Sequence, residues 1–352
     1  MCLVRHLTKI KRRLRDSIYE SPVPASLFSP FALGALRLVN RVVMAPMSRN
    51  RADASGSAHA LTAAYYAQRA SAGLIVTEAA PVSPQARTHA GAPGLYESVH
   101  VAGWRQVTQA VHAAGGRVFA QLWHAGSAAG VGQPFAAQGA AACASVPAVI
   151  AQFTAAAHGA IEAGFDGVEI HAANGYLIDQ FLRDGTNTRA DAYGGPVENR
   201  LRLLREVLDA VALEWPEERI GVRLSPVNPY NGIKDSAPQA TFGHVAAALG
   251  KRGLAYLHVD ETAGEPFDWP AFRRRYPGVY IANGGYDLPR ANAAIGSGYA
   301  DLISFGALWL ANPDLTARFR AGAPLNTPDR STFYGGGERG YTDYPSLETP
   351  AR

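Results

Sequence analysis

Eight short apolar segments, rich in β-branched residues, recur along the 352-residue chain, and a helical segment follows each of them. We predict strands at residues 41–46, 74–79, 117–123, 166–171, 220–225, 254–259, 279–282 and 302–305. Strands that alternate with helices in this way are expected to be parallel and buried on both faces. A count of eight favours a closed (β/α)8 TIM barrel over an open doubly wound sheet.

The predicted helices cover about residues 60–72, 100–114, 149–163, 196–213, 240–252, 269–276, 289–297 and 312–320. Before the first barrel strand, two short apolar segments flank Gly34 within residues 27–40, which predicts a β-hairpin. We therefore expect one barrel domain over residues 27–352, preceded by a leader at residues 1–26.

The net positive charge of the chain lies in that leader. Residues 1–20 hold six Lys or Arg and two Asp or Glu, a charge of +4 that equals the net charge of the whole chain. Subtracting these from the totals of 33 and 29 leaves 27 residues of each sign in the remainder. A neutral barrel argues against nucleic-acid binding. We expect the leader to be disordered, with a targeting or membrane-surface helix as the alternative.

The cysteine content and the lengths of the apolar runs exclude several classes of protein. No apolar run reaches the ~18 residues that a membrane span requires. The two cysteines, Cys2 and Cys143, are far apart in sequence, which argues against a disulfide framework or a structural metal. We expect a cytoplasmic protein with no metal ion and no membrane partner.

The stretch at the end of the fourth predicted strand offers the most chemistry. The active site of a TIM barrel lies at the carboxyl ends of its strands. His171, Asn174 and Tyr176 supply an imidazole, an amide and a phenol at such an end. Together these groups can bind an oxygen that gains negative charge, and the phenol can also give up a proton. Each residue alone could be structural, but their clustering favours a functional site.

Other strand ends contribute further candidates. These are Ala45, Pro46, Met47, Ser48, Ala79, Gln121, Trp123, Arg223, Gly284, Gly285, Gly306 and Ala307. The glycines after the last two strands lie where this fold binds phosphate, although a glycine pair also serves as a turn or a helix cap. Gln121 is either a core amide or a hydrogen-bonding partner of a planar heterocycle. Trp123 either forms a wall of the pocket or takes part in substrate binding. Arg223 is placed to bind an anion or an electron-rich ring.

Two other classes of barrel enzyme fit poorly. Acidic residues are scarce at the strand ends, which disfavours metal-dependent hydrolysis and glycosidase chemistry. A Schiff-base aldolase would need a lysine at a strand end, whereas we expect Lys234 in a loop and Lys251 in a helix.

Several separate motifs resemble those of the old yellow enzyme family of FMN-dependent ene-reductases. They include Asn-Arg-Val-Val-Met-Ala-Pro-Met-Ser-Arg at 40–49, Gln-Leu-Trp-His at 121–124, Gly-Val-Glu-Ile-His-Ala-Ala-Asn-Gly-Tyr at 167–176 and Tyr-Gly-Gly-Gly at 334–337. Ser48, Trp123 and the glycine-rich tail are similar to the N-ethylmaleimide reductase-like branch.

The resemblance implies non-covalently bound FMN, reduced by NADPH or NADH, and a small-molecule substrate with an electron-poor alkene. It implies that Ala45 to Ser48, Ala79, Gln121 and Arg223 contact the flavin ring and that Gly284, Gly285, Gly306 and Ala307 lie at its phosphate. It also implies that His171, Asn174 and Trp123 bind the substrate. A hydride from flavin N5 would reach the β carbon, and Tyr176 would protonate the α carbon.

The chain departs from the family pattern at three places. Ala307 stands where the family commonly has an arginine that pairs with the FMN phosphate, and Ser127 also replaces a usual arginine. Residues 127–145 form a short, Ala- and Gly-rich segment where the family usually has a longer lid. These departures motivate an alternative, namely a flavin-poor relative that binds a ligand without efficient turnover. We expect a monomer or a homodimer.

Overall fold

A closed barrel of eight parallel strands forms the centre of the fold. The computed structural model describes residues 25–128, 145–262 and 264–347. The barrel strands are β3 (Val42–Met44), β4 (Leu74–Pro81), β5 (Val118–Trp123), β6 (Gly167–His171), β7 (Ile220–Leu224), β8 (Tyr256–Asp260), β9 (Tyr280–Asn283) and β10 (Leu302–Phe305). Their order around the barrel is β10-β3-β4-β5-β6-β7-β8-β9, with every neighbouring pair parallel. The predicted (β/α)8 barrel is confirmed.

Helices connect the strands around the outside of the barrel. They are α1 (Ala60–Ala67), α2 (Ser98–Ala113), α3 (Val146–Glu162), α4 (Leu177–Leu182), α5 (Val197–Arg200), α6 (Arg202–Val211), α7 (Pro238–Leu249), α8 (Trp269–Arg275), α9 (Leu288–Gly296), α10 (Ala307–Ala311) and α11 (Leu315–Ala321). Short 3₁₀ turns lie at Pro84–Ala86, Gly126–Ala128, Glu217–Arg219, Tyr230–Gly232 and Arg330–Thr332.

The predicted N-terminal hairpin is present and packs against the amino-terminal end of the barrel. Its strands, β1 (Phe31–Leu33) and β2 (Leu36–Leu38), pair antiparallel. Leu33, Leu36 and Leu38 pack into a cluster with apolar side chains from the barrel strands. This packing closes the end of the barrel opposite the polar strand ends, so that a ligand is expected at the other end only.

Several predicted helix boundaries are wrong for identifiable reasons. The first helix ends at Ala67. The N–H groups of Arg69 and Ala70 donate to the carbonyls of Tyr66 and Ala67, three residues back, as in a 3₁₀ turn rather than an α-helix. The segment predicted at 196–213 is divided at Leu201, and the one at 312–320 is replaced by α10 and α11. Lys251 lies just after α7 rather than within it.

Helix α4 was not predicted because it has only six residues and all of them are buried, so that its two polar residues, Asp179 and Gln180, form no exposed face. The predictions for the leader and for the shortened lid fall largely on residues 1–24 and 129–144, which lie outside the described residues. Over the described ranges, no helix is both long enough and apolar enough to cross a membrane.

Candidate active site

A cavity of about 320 Å³ lies at the carboxyl ends of the barrel strands, a volume within the usual range for small-molecule sites. It is lined by Pro46, Met47, Ser48, Ala79, Gln121, Trp123, His171, Asn174, Tyr176, Tyr230, Gly306, Ala307, Leu310, Phe333 and Tyr334. The structure thus brings together most of the residues predicted from separate parts of the sequence.

The turn after β6 is fixed by hydrogen bonds from three directions. Asn174 has a left-handed backbone (φ 57°), and its N–H donates to Ser225 Oγ at 2.7 Å while its carbonyl accepts from Asn231 Nδ2 at 2.7 Å. Gly175, also left-handed (φ 75°), donates its N–H to Asp179 Oδ2 at 2.9 Å. These bonds orient the turn so that the side chains at 171, 174 and 176 face the cavity.

Tyr176 stands immediately before α4, between two other rings. Its ring packs edge-on against Trp123 at 5.0 Å and against His171 at 5.2 Å between centroids. Burial raises the pKa of the Tyr176 phenol well above its usual range, and its hydrogen-bonding neighbours are the side chains of Tyr230 and Asn231. The phenol is therefore protonated at neutral pH and available as an acid.

His171 is neutral at physiological pH. Burial, followed by the nearby charge of Arg223, lowers the pKa of His171 to about 3. Within the part of the chain that the structure describes, His171 Nδ1, Asn174 Oδ1 and Trp123 Nε1 have no hydrogen-bond partner. Buried polar atoms are rarely left unpaired, so these atoms indicate a ligand with polar groups at this side of the cavity.

The opposite side of the cavity is formed by the segment after β3. Ser48 lies at the surface of the cavity, and Glu78 Oε2 holds the next residues by accepting the N–H groups of Arg49 at 2.8 Å and Asn50 at 3.1 Å. Strand β4 shifts register against β5 between Val76 and Ala79, which places Ala79 beside Gln121. Such bulges are common next to active sites.

This geometry agrees with comparisons to known proteins. The sequence profile of the NADH:flavin oxidoreductase / NADH oxidase family matches residues 26–326. The chain belongs to this family. It is 41% identical over 358 aligned residues to a protein of Leishmania infantum described as a probable flavin mononucleotide-dependent alkene reductase, covering 91% of this chain and 97% of the relative.

Two solved structures of the family are similar over nearly their full length. Morphinone reductase has a TM-score of 0.87 and 42% identity, covering 93% of this chain and 98% of its own. The old yellow enzyme homologue from Zymomonas mobilis has a TM-score of 0.86 and 40% identity, covering 92% and 100%. The resemblance predicted from the motifs is therefore confirmed: the protein is an old yellow enzyme-type FMN oxidoreductase that uses NADH or NADPH as reductant.

The residues of the cavity suit FMN. Pro46, Met47 and Ala79 give an apolar wall against which a flat ring can pack, and Gln121 supplies an amide at one edge. The unpartnered atoms of His171 and Trp123 lie on the same cavity. An apolar wall with a few polar groups at its edge is the composition expected of a cofactor site.

Four predicted cofactor residues do not belong to the cavity lining of the described residues. Ala45 and Arg223 are buried, at 3% and 5% exposed. Gly284 and Gly285 have left-handed backbones (φ 117° and 63°), and their carbonyls accept from Arg290 Nη1. Their roles stay predictions.

Sequence reasoning missed four residues of the lining: Leu310, Tyr230, Phe333 and Tyr334. The tail that carries Phe333 and Tyr334 is fixed by Arg49, whose guanidinium donates to the carbonyls of Phe333 at 3.0 Å and Gly340 at 2.9 Å. The Tyr-Gly-Gly-Gly motif at 334–337 is the sequence feature that could have predicted a role for this tail. For Tyr230, that feature is its position in the loop after β7, at the carboxyl end of the barrel strands.

Proposed function

We propose that this enzyme reduces the C=C bond of α,β-unsaturated carbonyl, nitro or maleimide compounds, with Tyr176 as the proton donor. The observation that carries this proposal is the unpartnered, neutral imidazole of His171 next to the protonated phenol of Tyr176. The names of the relatives support the same reaction class, since they include an alkene reductase and 12-oxophytodienoate reductases.

His171 and Asn174 bind the oxygen of the substrate. A neutral imidazole has one N–H donor, and a rotated amide can present its N–H₂ group to the same oxygen. These donors withdraw electron density from the conjugated alkene and stabilise the negative charge that develops on the oxygen. Trp123 bounds the substrate on the side of Tyr176.

Tyr176 supplies the proton that completes the reduction. FMN, when bound, supplies the hydride to the β carbon. The hydroxyl of Tyr176 then gives its proton to the α carbon, so that one hydride and one proton are added across the double bond. Because the pKa of this phenol is raised, its phenolate is a strong base and recovers a proton readily.

We also propose the cofactor contacts from the motif assignments. Ala45, Pro46, Met47, Ser48, Ala79 and Gln121 would contact the ring, and Arg223 would lie near its N1 and C2 atoms. Gly284, Gly285, Gly306 and Ala307 would lie at the phosphate. These residues belong to one FMN-binding domain that begins near residue 27. The assignment is supported by the shared cavity of Pro46, Ser48, Gln121 and Ala307.

The proposal is tested by steady-state reduction of 2-cyclohexen-1-one with NADPH and with NADH, using FMN-loaded protein. We expect Tyr176→Phe to lower turnover about 100-fold or more, the usual contribution of a general acid. Tyr193→Phe is the matched control, because its hydroxyl donates to Glu206 rather than to a cavity group. Wild-type protein that holds FMN but does not reduce the enone would refute the proposal and favour a ligand-binding relative.

A further inference from the structure

Beneath the cavity, a group of polar side chains fills the interior of the barrel. Its members are Gln121 on β5, Glu169 on β6, Arg223 on β7, His258 on β8 and Ser304 on β10. Each is at most 5% exposed. Charged groups are rarely buried this deeply unless they are paired, so each charge in this group is expected to have a partner of opposite sign.

Arg223, His258 and Glu169 form a continuous hydrogen-bonded series, here called the Arg223–His258–Glu169 chain. Arg223 Nη1 lies 2.7 Å from His258 Nε2, and His258 Nδ1 lies 2.8 Å from Glu169 Oε2. Ser304 Oγ also lies 2.7 Å from Nε2, and its hydroxyl can donate to this nitrogen. A guanidinium has only donors, so Nε2 carries no proton and accepts, and a carboxylate has only acceptors, so Nδ1 donates. The imidazole between them is therefore neutral.

The protonation states agree with this geometry. Burial, together with the charge of Arg223, lowers the pKa of His258. Burial would raise the pKa of Glu169, but the hydrogen bonds from His258 and Gln121 and the charge of Arg223 outweigh it and leave this pKa below its usual value. The second oxygen of Glu169 accepts from Gln121 Nε2 at 2.7 Å, so both carboxylate oxygens are occupied. The chain thus joins one buried cation to one buried anion through a neutral ring.

Arg223 also contacts two polar residues on the cavity side of the barrel. Its Nη2 donates to Asn283 Oδ1 at 3.0 Å and lies 3.8 Å from Asp260 Oδ2. Glu169 is further from the strand ends than His171, by two residues on the same strand, so it lies below the arginine as seen from the cavity. Its negative charge opposes the field that Arg223 projects into the site.

We propose that Glu169 lowers the reduction potential of bound FMN by neutralising Arg223 through His258. This inference rests on the proposed function, in which Arg223 lies at the flavin. A fixed cation favours the reduced, negatively charged flavin, and a buried carboxylate that compensates the cation weakens this preference. Glu169 is thus a positioning and charge-balancing residue that keeps reduced FMN ready to give up its hydride.

The test is the two-electron midpoint potential of the FMN-loaded enzyme, measured by spectroelectrochemistry. We expect Glu169→Gln to strengthen the binding of reduced FMN relative to oxidised FMN about tenfold. For a two-electron couple, this corresponds to a potential about 30 mV more positive. Asp166→Asn is the matched control, since Asp166 lies at the other end of β6, where it accepts from Val118 N, and should leave the potential unchanged.

A double-variant comparison covers the case in which Glu169→Gln does not fold. Removing both charges keeps the Arg223–His258–Glu169 chain balanced, and Asp260 keeps the side chain of Asn228 and the backbone N–H of Thr262 as donors. Arg223→Gln/Glu169→Gln should therefore be better tolerated than either single change. Its potential should be more positive than that of Arg223→Gln alone. An unchanged or more negative potential in both comparisons, with enone turnover intact in the wild type, would overturn this inference alone. Wild-type protein that binds no FMN would overturn the proposed function and this inference with it.

Discussion

Replacing Asp179 with alanine should destabilise the protein at the base of the active-site turn. The carboxylate of Asp179 is fully buried, and its two oxygens accept from Gly175 N at 2.9 Å and from Arg183 Nε at 2.8 Å. Removing it leaves a buried guanidinium without its anion, which typically costs about 3–5 kcal/mol. Arg183 keeps the carbonyls of Ser225 and Pro226 as acceptors, so we expect about 3 kcal/mol.

For a chain of this size, 1 kcal/mol corresponds to roughly 1–2 °C in melting temperature. We therefore expect a decrease of about 3–6 °C for Asp179→Ala, measured by circular dichroism with and without added FMN. Asp314→Ala is the matched control, because Asp314 pairs with Arg318 at the same i, i+4 spacing but is partly exposed. Because solvent reaches this pair, breaking it leaves a less deeply buried charge, and we expect a smaller loss of stability than for Asp179→Ala. A melting temperature for Asp179→Ala no lower than that of Asp314→Ala would refute the reasoning.

Three further predictions concern pH, the backbone and the phosphate. The pKa of His171, lowered to about 3, predicts that kcat/KM for the enone shows no inflection from this residue between pH 5 and 8; an inflection there that His171→Asn removes would contradict it. Because the unfolded chain binds this proton more readily, the contribution of His171 to stability is lost as the pH falls below about 6.5. Gly175→Ala places a Cβ 2.8 Å from the Cβ of Asn231 at a residue with a left-handed backbone. Gly195 has the same backbone strain (φ 76°), but no heavy atom of the described residues lies within 4 Å of a Cβ built there. Gly175→Ala should therefore lower the melting temperature more than Gly195→Ala. Ala307→Arg, at the rim of the cavity, should tighten FMN binding about 10- to 100-fold in a fluorescence titration, and unchanged affinity would place the phosphate elsewhere.

The sequence predicted the parts of the molecule that depend on local pattern. Apolar runs bounded by turns located all eight barrel strands, and the rule that barrel sites lie at strand ends brought His171, Gln121 and Ser48 to one cavity. It missed what depends on packing between distant segments. Helix α4 is short and has no exposed face from which it could be recognised, and Tyr334 reaches the cavity because Arg49 fixes the tail.

Glu169 shows the same limit inside the barrel. In the sequence it is a single acidic residue in an apolar strand, with no local indication of its partners. The fold places Gln121 and His258 on its two oxygens, and both contacts join residues that are far apart in the sequence.

Anaerobic single-turnover spectroscopy of the FMN-loaded enzyme tests the central claim most directly. Wild-type protein should lose its yellow absorbance with NADPH or NADH and regain it when 2-cyclohexen-1-one is added. Tyr176→Phe should bleach at the wild-type rate but regain its colour with the enone at least about 100-fold more slowly, because the proton donor acts only in the second half of the reaction. Recovery of colour in Tyr176→Phe at the wild-type rate would contradict the role assigned to Tyr176.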